Sequence, residues 1–180
     1  RAGISYISDD RHGDSLVMDM TVEDNLILRD FDRQPFSRNM VLDYRQAEKR
    51  AREALDEYSI KTSGKSGIKT PVKLMSGGNQ QKVILSREIS EEAGLIVASQ
   101  PTRGLDIGAT QFVHETLLRQ RDAGRCVLLI SADLDEILGV SDRVAVMYEG
   151  RIIGILNRDE ADVHKIGLLM GGIAKEAADE

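Results

Sequence analysis

Apolar and polar positions change rhythm near the middle of the chain. "GISYI" (Gly3 to Ile7) reads as a short strand and the polar "SDDRHGD" after it as a turn. "TVEDNLIL" opens with Thr21 three residues before Asp24, a capping-box start that predicts a short helix. "DYRQAEKRAREALDEYSI" is the clearest amphipathic stretch. Tyr44, Ala47, Ala51, Leu55 and Tyr58 recur at helical spacing, and Glu48 and Arg52 form an i,i+4 pair. Residues 61–73 are rich in Lys, Ser, Gly and Thr, with Pro71 near their end, and read as a loop. After "SGGN", the run "QQKVILSREIS" returns to helical spacing.

From Gly94 the pattern alternates strand and helix. "LIVAS" is too apolar to be half exposed and reads as a central strand of a parallel sheet. "ATQFVHETLLRQRDAG" predicts a helix with Phe112, Val113, Thr116, Leu117 and Gln120 on one side and Gly124 as its cap. "CVLLI" reads as a second buried strand and "LDEILGV" as a short helix. "RVAVMY" and "RIIGIL" predict a hairpin around Glu149–Gly150, and "DVHKIGLLM" a last helix before a solvated tail. The expected organisation is one domain over 180 residues, with a helical region at about 20–93, an α/β core at 94–172 and a tail at 173–180.

Net charge is −6, and the 24 Lys and Arg are scattered among acids, which argues against nucleic acid as a partner. Cys126 stands alone at the head of an apolar run, so it reads as a small buried hydrophobe and excludes a disulfide framework. No apolar run approaches the roughly 18 residues that span a bilayer, and no signal-peptide pattern is present. The start at Arg1, without Met, raises the expectation that the chain is a piece of a larger protein.

Most candidate motifs have ordinary readings. "SIKTSGKS" (Ser59 to Ser66) ends like a phosphate-binding loop, but it has Ser59 where that motif needs Gly and follows a helix, so it reads as a loop. His12, His114 and His164 lie far apart, with no ligand at metal spacing, and read as surface residues. Asp133, Asp135 and Glu136 sit at a helix start, where acids cap N–H groups. "LMSGGNQQK" (Leu74 to Lys82) differs: Ser76, Gly77 and Gly78 immediately precede a helix, so free N–H groups and the positive dipole end converge on one point, an anion site. "LIVASQPTRGLD" ends a strand where nucleotide hydrolases carry two acids, and here those positions are Ser99 and Gln100.

"LMSGGNQQK", "LIVASQPTRGLDIGA" and "VLLISADLDEI", in that order, resemble the second ATP-binding domain of ATP-binding-cassette importers, most closely the class that takes up simple sugars and nucleosides. "GISYISDDRHGDSLVMDMTVEDNLIL" resembles that class's Gly-Ile-x-Tyr-x-Pro-Glu-Asp-Arg segment and its downstream Glu-Asn-Leu, and the match runs from about Gly3 to Gly172. The resemblance implies a partial α/β cassette: a parallel sheet core, a helical subdomain and a C-terminal β-hairpin, without the phosphate-loop strand. It makes Ser76, Gly77, Gly78, Asn79 and Gln80 the signature motif that closes over the γ-phosphate of ATP held by the opposite cassette. Asp9 falls in the loop that links nucleotide to permease, and Asp106 in the loop that touches the partner cassette.

Three departures follow from the same alignment of motifs. Ser99 stands where the family has the Asp of the Mg²⁺ shell, Gln100 where it has the acid that polarises water, and Ala132 where it has the switch His. An amide takes no proton, and a well-placed general base is worth roughly 10²–10⁴-fold. Magnesium also loses a hard anionic ligand. The resemblance therefore implies a degenerate half that binds neither ATP nor Mg²⁺ at its own site, although the full-length protein uses both. Implied partners are an upstream cassette of the same chain, membrane permease subunits and, indirectly, an extracytoplasmic solute-binding protein, at the cytoplasmic face of the plasma membrane. A second copy of the chain is one candidate cover for the sheet edge left by the missing strand. Two other readings stay open, a soluble cassette ATPase of nucleic-acid or ribosome metabolism and a nucleotide-free scaffold.

Overall fold

The computed structural model describes residues 3–62, 64–89 and 93–173, with Gly64 and Lys65 described by backbone alone. The tail expected at 173–180 therefore lies outside the described residues from 174 onward. Packing divides the chain into two compact units, Arg1–Ile130 and Ser131–Glu180. The division falls inside the stretch expected as one α/β core.

In the first unit, strand β1 (Ile4–Ile7) leads into a turn at Arg11–Ser15 that is one turn of π-helix, closed by the Leu16 N–H on the Arg11 carbonyl at 2.9 Å. Helix α1 (Val22–Ile27) starts at Thr21, whose hydroxyl accepts from the Asp24 N–H at 3.1 Å while Asp24 reaches back to the Thr21 N–H, the expected capping box. A small hairpin of β2 (Ser37–Arg38) and β3 (Val41–Leu42) precedes α2 (Tyr44–Glu57). Ala47, Ala51 and Ala54 form the buried face of α2 and Tyr58 packs just beyond it, but Tyr44 is exposed because it occupies the first helical position, beyond the core. Glu48 and Arg52 pair at 2.7 Å as their spacing predicts. The loop expected at 61–73 contains two 3₁₀ turns, Gly64–Lys69 and Val72–Leu74, whose Ile68 and Val72 join the core.

Helix α3 (Gly77–Glu88) begins earlier than its apolar run because Gly77, Gly78 and Asn79 already belong to its first turn. Strand β4 (Leu95–Ser99), helix α4 (Ile107–Asp122) and strand β5 (Cys126–Ile130) complete the unit. The sheet order is β1-β4-β5, all parallel, with Ile4 opposite Leu95 and Leu95 opposite Cys126. "LIVAS" is thus the central strand. Crossing from β4 to a parallel β5 requires a long connection, which α4 supplies. Helix α4 closes on Ala123, not Gly124; Gly124 follows the cap in the left-handed region, φ 84°.

The sheet has two unlike faces. Ile7, Ile96 and Ala98 are fully buried and cluster with Val83, Ile84 and Leu85 of α3 and Val113 and Leu117 of α4. On the other face Ile4, Tyr6, Leu128 and Ile130 stay 47–51% exposed. This corrects the reading of "CVLLI" as a buried strand: β5 pairs on one side only, and its alternate residues look away from the helices. Cys126 is exposed for the same reason.

The second unit is simpler. Helix α5 (Leu134–Val140) precedes an antiparallel hairpin of β6 (Arg143–Tyr148) and β7 (Arg151–Asn157). Glu149 and Gly150 have φ of 45° and 77°, the two positive values a tight primed hairpin turn requires. Helix α6 (Val163–Met170) lays Ile166 and Leu169 against Val144, Val146 and Leu156 of the hairpin. The parallel sheet, flanking helices and C-terminal hairpin match the expected fold class.

Candidate functional site

The start of α3 is anchored on all sides except the one that matters. Ser76 is the N-cap, and the Asn79 side chain donates to its hydroxyl at 2.9 Å. Asn79 also accepts the Lys61 N–H at 2.8 Å, which ties the preceding loop to the helix. Gln80 is buried; its amide donates to the Val72 carbonyl at 3.0 Å, and its oxygen lies 3.1 Å from His12 Nε2. Lys82 donates to the Ser59 carbonyl at 3.0 Å and stacks 4.4 Å above the Phe112 ring. Burial holds the Lys82 ammonium below its usual pKa, with nearby Lys61 adding to the effect.

The two glycines have different jobs. A Cβ on Gly78 would come within 2.8 Å of the Ala109 Cβ, so Gly78 lets α3 and α4 approach closely. A Cβ on Gly77 would meet nothing nearer than 3.9 Å, and Ser76 beside it is exposed. Helix geometry leaves the first N–H groups without intrahelical acceptors. Gly77 therefore has room for a Cβ beside Arg11 and Leu105, and its backbone donors at the positive dipole end are chemically suited to a phosphate oxygen.

The end of β4 offers different chemistry. Ser99 is half-buried, and Gln100 follows with φ 45°, its N–H on the Ile130 carbonyl at 2.7 Å and its carbonyl accepting from the Arg103 N–H at 3.1 Å. This pair of hydrogen bonds ends the strand and starts the 100–106 loop. Neither side chain carries a negative charge, and among the described residues no three His, Cys, Asp or Glu gather as a metal site. The donor set at Ser99 and Gln100 does not fit Mg²⁺.

Asp106 is exposed and caps α4, accepting the Ala109 N–H at 2.8 Å. Its second oxygen lies 3.8 Å from the Cβ position of Gly78, so this loop and the start of α3 are neighbours. Ile107 beside it is 88% exposed. Asp9 is exposed directly after β1, and Ala132 is exposed in the second unit. Asp133 caps α5 through the Asp135 and Glu136 N–H groups, as its position predicts. The Gly-Lys-Ser of "SIKTSGKS" lies after α2 and runs into a 3₁₀ turn, as a loop does; Ser63 within it is outside the described residues.

Reading the sequence alone missed Arg11. Its guanidinium is half-buried between Gly77 and Gly104, and its Nη1 donates to the Arg103 carbonyl at 2.8 Å. Burial, reinforced by Arg103, holds it below the usual arginine range. Its place in the Gly-Ile-x-Tyr segment was the available signal. Beside the same turn, a cleft of about 310 Å³ opens between residues 13–17 and Leu28, Arg29, Arg87 and Glu88. Glu88 is held there by Arg29 and, at 2.7 Å, by Arg87.

Among the described residues no helix is long and apolar enough to cross a membrane. The chain resembles the guanosine import ATP-binding protein NupO of Bacillus subtilis, with 44% identity over 98% of the chain and 34% of the relative. It is 42% identical to the nucleoside import ATP-binding protein NupA of Lactococcus lactis, over 94% of the chain and 33% of that protein. The ribose import ATP-binding protein RbsA of Clostridium perfringens is 38% identical, over 95% and 33%. The chain thus spans about a third of the length of these relatives. A dimeric ATP-binding cassette solved with ADP and Pi shares the fold, with TM-score 0.66 and 20% identity over 86% of this chain and 62% of that one. The ABC transporter family model matches residues 1–103, more than half of the 180, and the chain belongs to the ABC transporter family.

Proposed function

We propose that this chain is a degenerate ATP-binding half of an importer ATPase for a nucleoside or simple sugar, and that it lends its signature motif to a composite ATP site. The observation that carries this reading is the asymmetry within the first unit. Gly77 keeps uncapped backbone donors and no side chain at the start of α3, while Ser99 and Gln100, at the end of β4, have no carboxylate.

In this reading the N–H groups of Gly77 and Gly78 and the Ser76 hydroxyl meet the γ-phosphate of ATP bound by a second cassette, upstream in the same protein. Asn79 and Gln80 hold the helix start in place. Asp106 keeps the partner-facing loop attached to α4. Magnesium and the attacking water belong to the other cassette, since the side chains at 99 and 100 suit neither. The named relatives favour uptake of a nucleoside over ribose.

The cassette is peripheral to the cytoplasmic face of the membrane, with Asp9 and the adjoining cleft turned toward a permease. Closure of the two cassettes on ATP is passed to that permease through the helical region. The test is assembly. The full-length protein should co-purify with a membrane permease and hydrolyse ATP faster when solute and its binding protein are added. Full-length protein that hydrolyses ATP at one rate with or without the permease would remove the importer reading.

A further inference from the structure

The turn after β1 is fastened to two other segments at once. Arg11 Nη1 donates to the Arg103 carbonyl at 2.8 Å, across the 100–106 loop. Arg11 Nη2 lies 3.9 Å from where a Cβ on Gly77 would stand and 3.4 Å from one on Gly104. One residue on, His12 Nε2 sits 3.1 Å from Gln80 Oε1, inside the first turns of α3. At the far end of the same helix, Arg87 donates to the Ser15 carbonyl at 2.6 Å. The turn is thus held along the length of α3, and Arg11 is its link to the loop.

We propose that Arg11 is a positioning residue for ATP turnover, holding the partner-facing loop at 103–106 in register with the signature at Gly77; this rests on the signature reading above. A loop has no ladder of its own, so its shape follows the few bonds that tie it down. The Arg103 N–H closes a turn on Gln100, and Arg11 takes the Arg103 carbonyl. A guanidinium suits this place because its donors are fixed in a plane. Asp9 lies two residues before Arg11, so one side chain joins the segment at Asp9 to the loop at 103–106.

Removing Arg11 leaves the caps of α3 and α4 intact, because Ser76, Asn79 and Asp106 supply them. The loss falls on contacts made when the cassettes close, and it therefore lowers turnover more than nucleotide affinity. A displacement of about 1 Å is enough to cost up to 10²-fold.

The experiment is steady-state ATPase of the full-length transporter with its permease, across ATP concentrations. Arg11→Met keeps the apolar stem and removes the donors. It should lower kcat about tenfold with KM for ATP within about twofold. Arg11→Lys keeps one donor for the Arg103 carbonyl and should return kcat to within about threefold of wild type. Wild-type kcat in Arg11→Met, or an Arg11→Lys as slow as Arg11→Met, overturns the proposal. Gly77→Asp run alongside separates the two readings. If it stops turnover while Arg11→Met does not, only the role of Arg11 falls. If Gly77→Asp turns over normally, the signature reading falls and this inference with it.

Discussion

The start of α3 and the end of β4 belong to one unit and carry their chemistry in different ways. At α3 the proposed phosphate would be met by backbone N–H groups and a helix dipole, so the fold itself would supply the donors. All that is asked of the sequence is the absence of bulk at Gly77. At β4 any acid chemistry would depend on two side chains, and Ser99 and Gln100 have none to give. A function carried by backbone survives as long as the helix does. One carried by side chains is lost with a substitution that the core never registers.

The largest test of this contrast is Gly77→Asp in the full-length protein. A Cβ there strains nothing, since its nearest neighbours would stand at 3.9 Å, so the fold should hold. The carboxylate repels the incoming phosphate, and ATP turnover should fall by roughly 10²-fold or more, as when a preorganised donor is lost. Gly78→Ala should act on stability instead. Its new methyl would stand 2.8 Å from the Ala109 Cβ. Such overpacking costs about 1–3 kcal/mol, and thermal melting should show it as a drop of several degrees. Adding Ala109→Gly should restore the melting temperature, and no recovery would mean that the two helices are held apart by something else.

Changes at the end of β4, and at Ala132 in the second unit, should be quiet. Gln100→Ala and Ala132→His alter positions without acid chemistry, so turnover of the full-length protein should stay within about twofold of wild type. A Gln100→Ala variant that abolished turnover would reverse the contrast. Smallest of all is the expected heat when Mg-ATP is added to this chain alone. Calorimetry should show no micromolar binding, because Ser99 and Gln100 supply no carboxylate to hold the Mg²⁺ that accompanies the nucleotide.

Much of this architecture was legible in the sequence. The capping box at Thr21, the central strand "LIVAS" and the hairpin turn at Glu149–Gly150 each rest on local rules, and local rules need no knowledge of neighbours. Cys126 was misread for the opposite reason. An apolar run of strand length looks the same in mid-sheet or at an edge, and only its pairing decides. Gly77 and Gly78 were legible as a pair but not individually, because the role of Gly78 depends on Ala109, far along the chain. Arg11 was hidden in the same way: its partner is the carbonyl of Arg103, and a backbone atom leaves no mark in the sequence.

Gln100 bends the chain at the end of β4 with its backbone in the left-handed region. That conformation is strained for any residue with a Cβ, and glutamine and glutamate bear it equally, being nearly the same shape. Backbone strain therefore does not choose between amide and acid at this position. In the genetic code the two are one nucleotide apart. On the proposed reading, a lineage can exchange acid for amide at this strand end with no change in backbone strain, and selection on turnover decides which is kept.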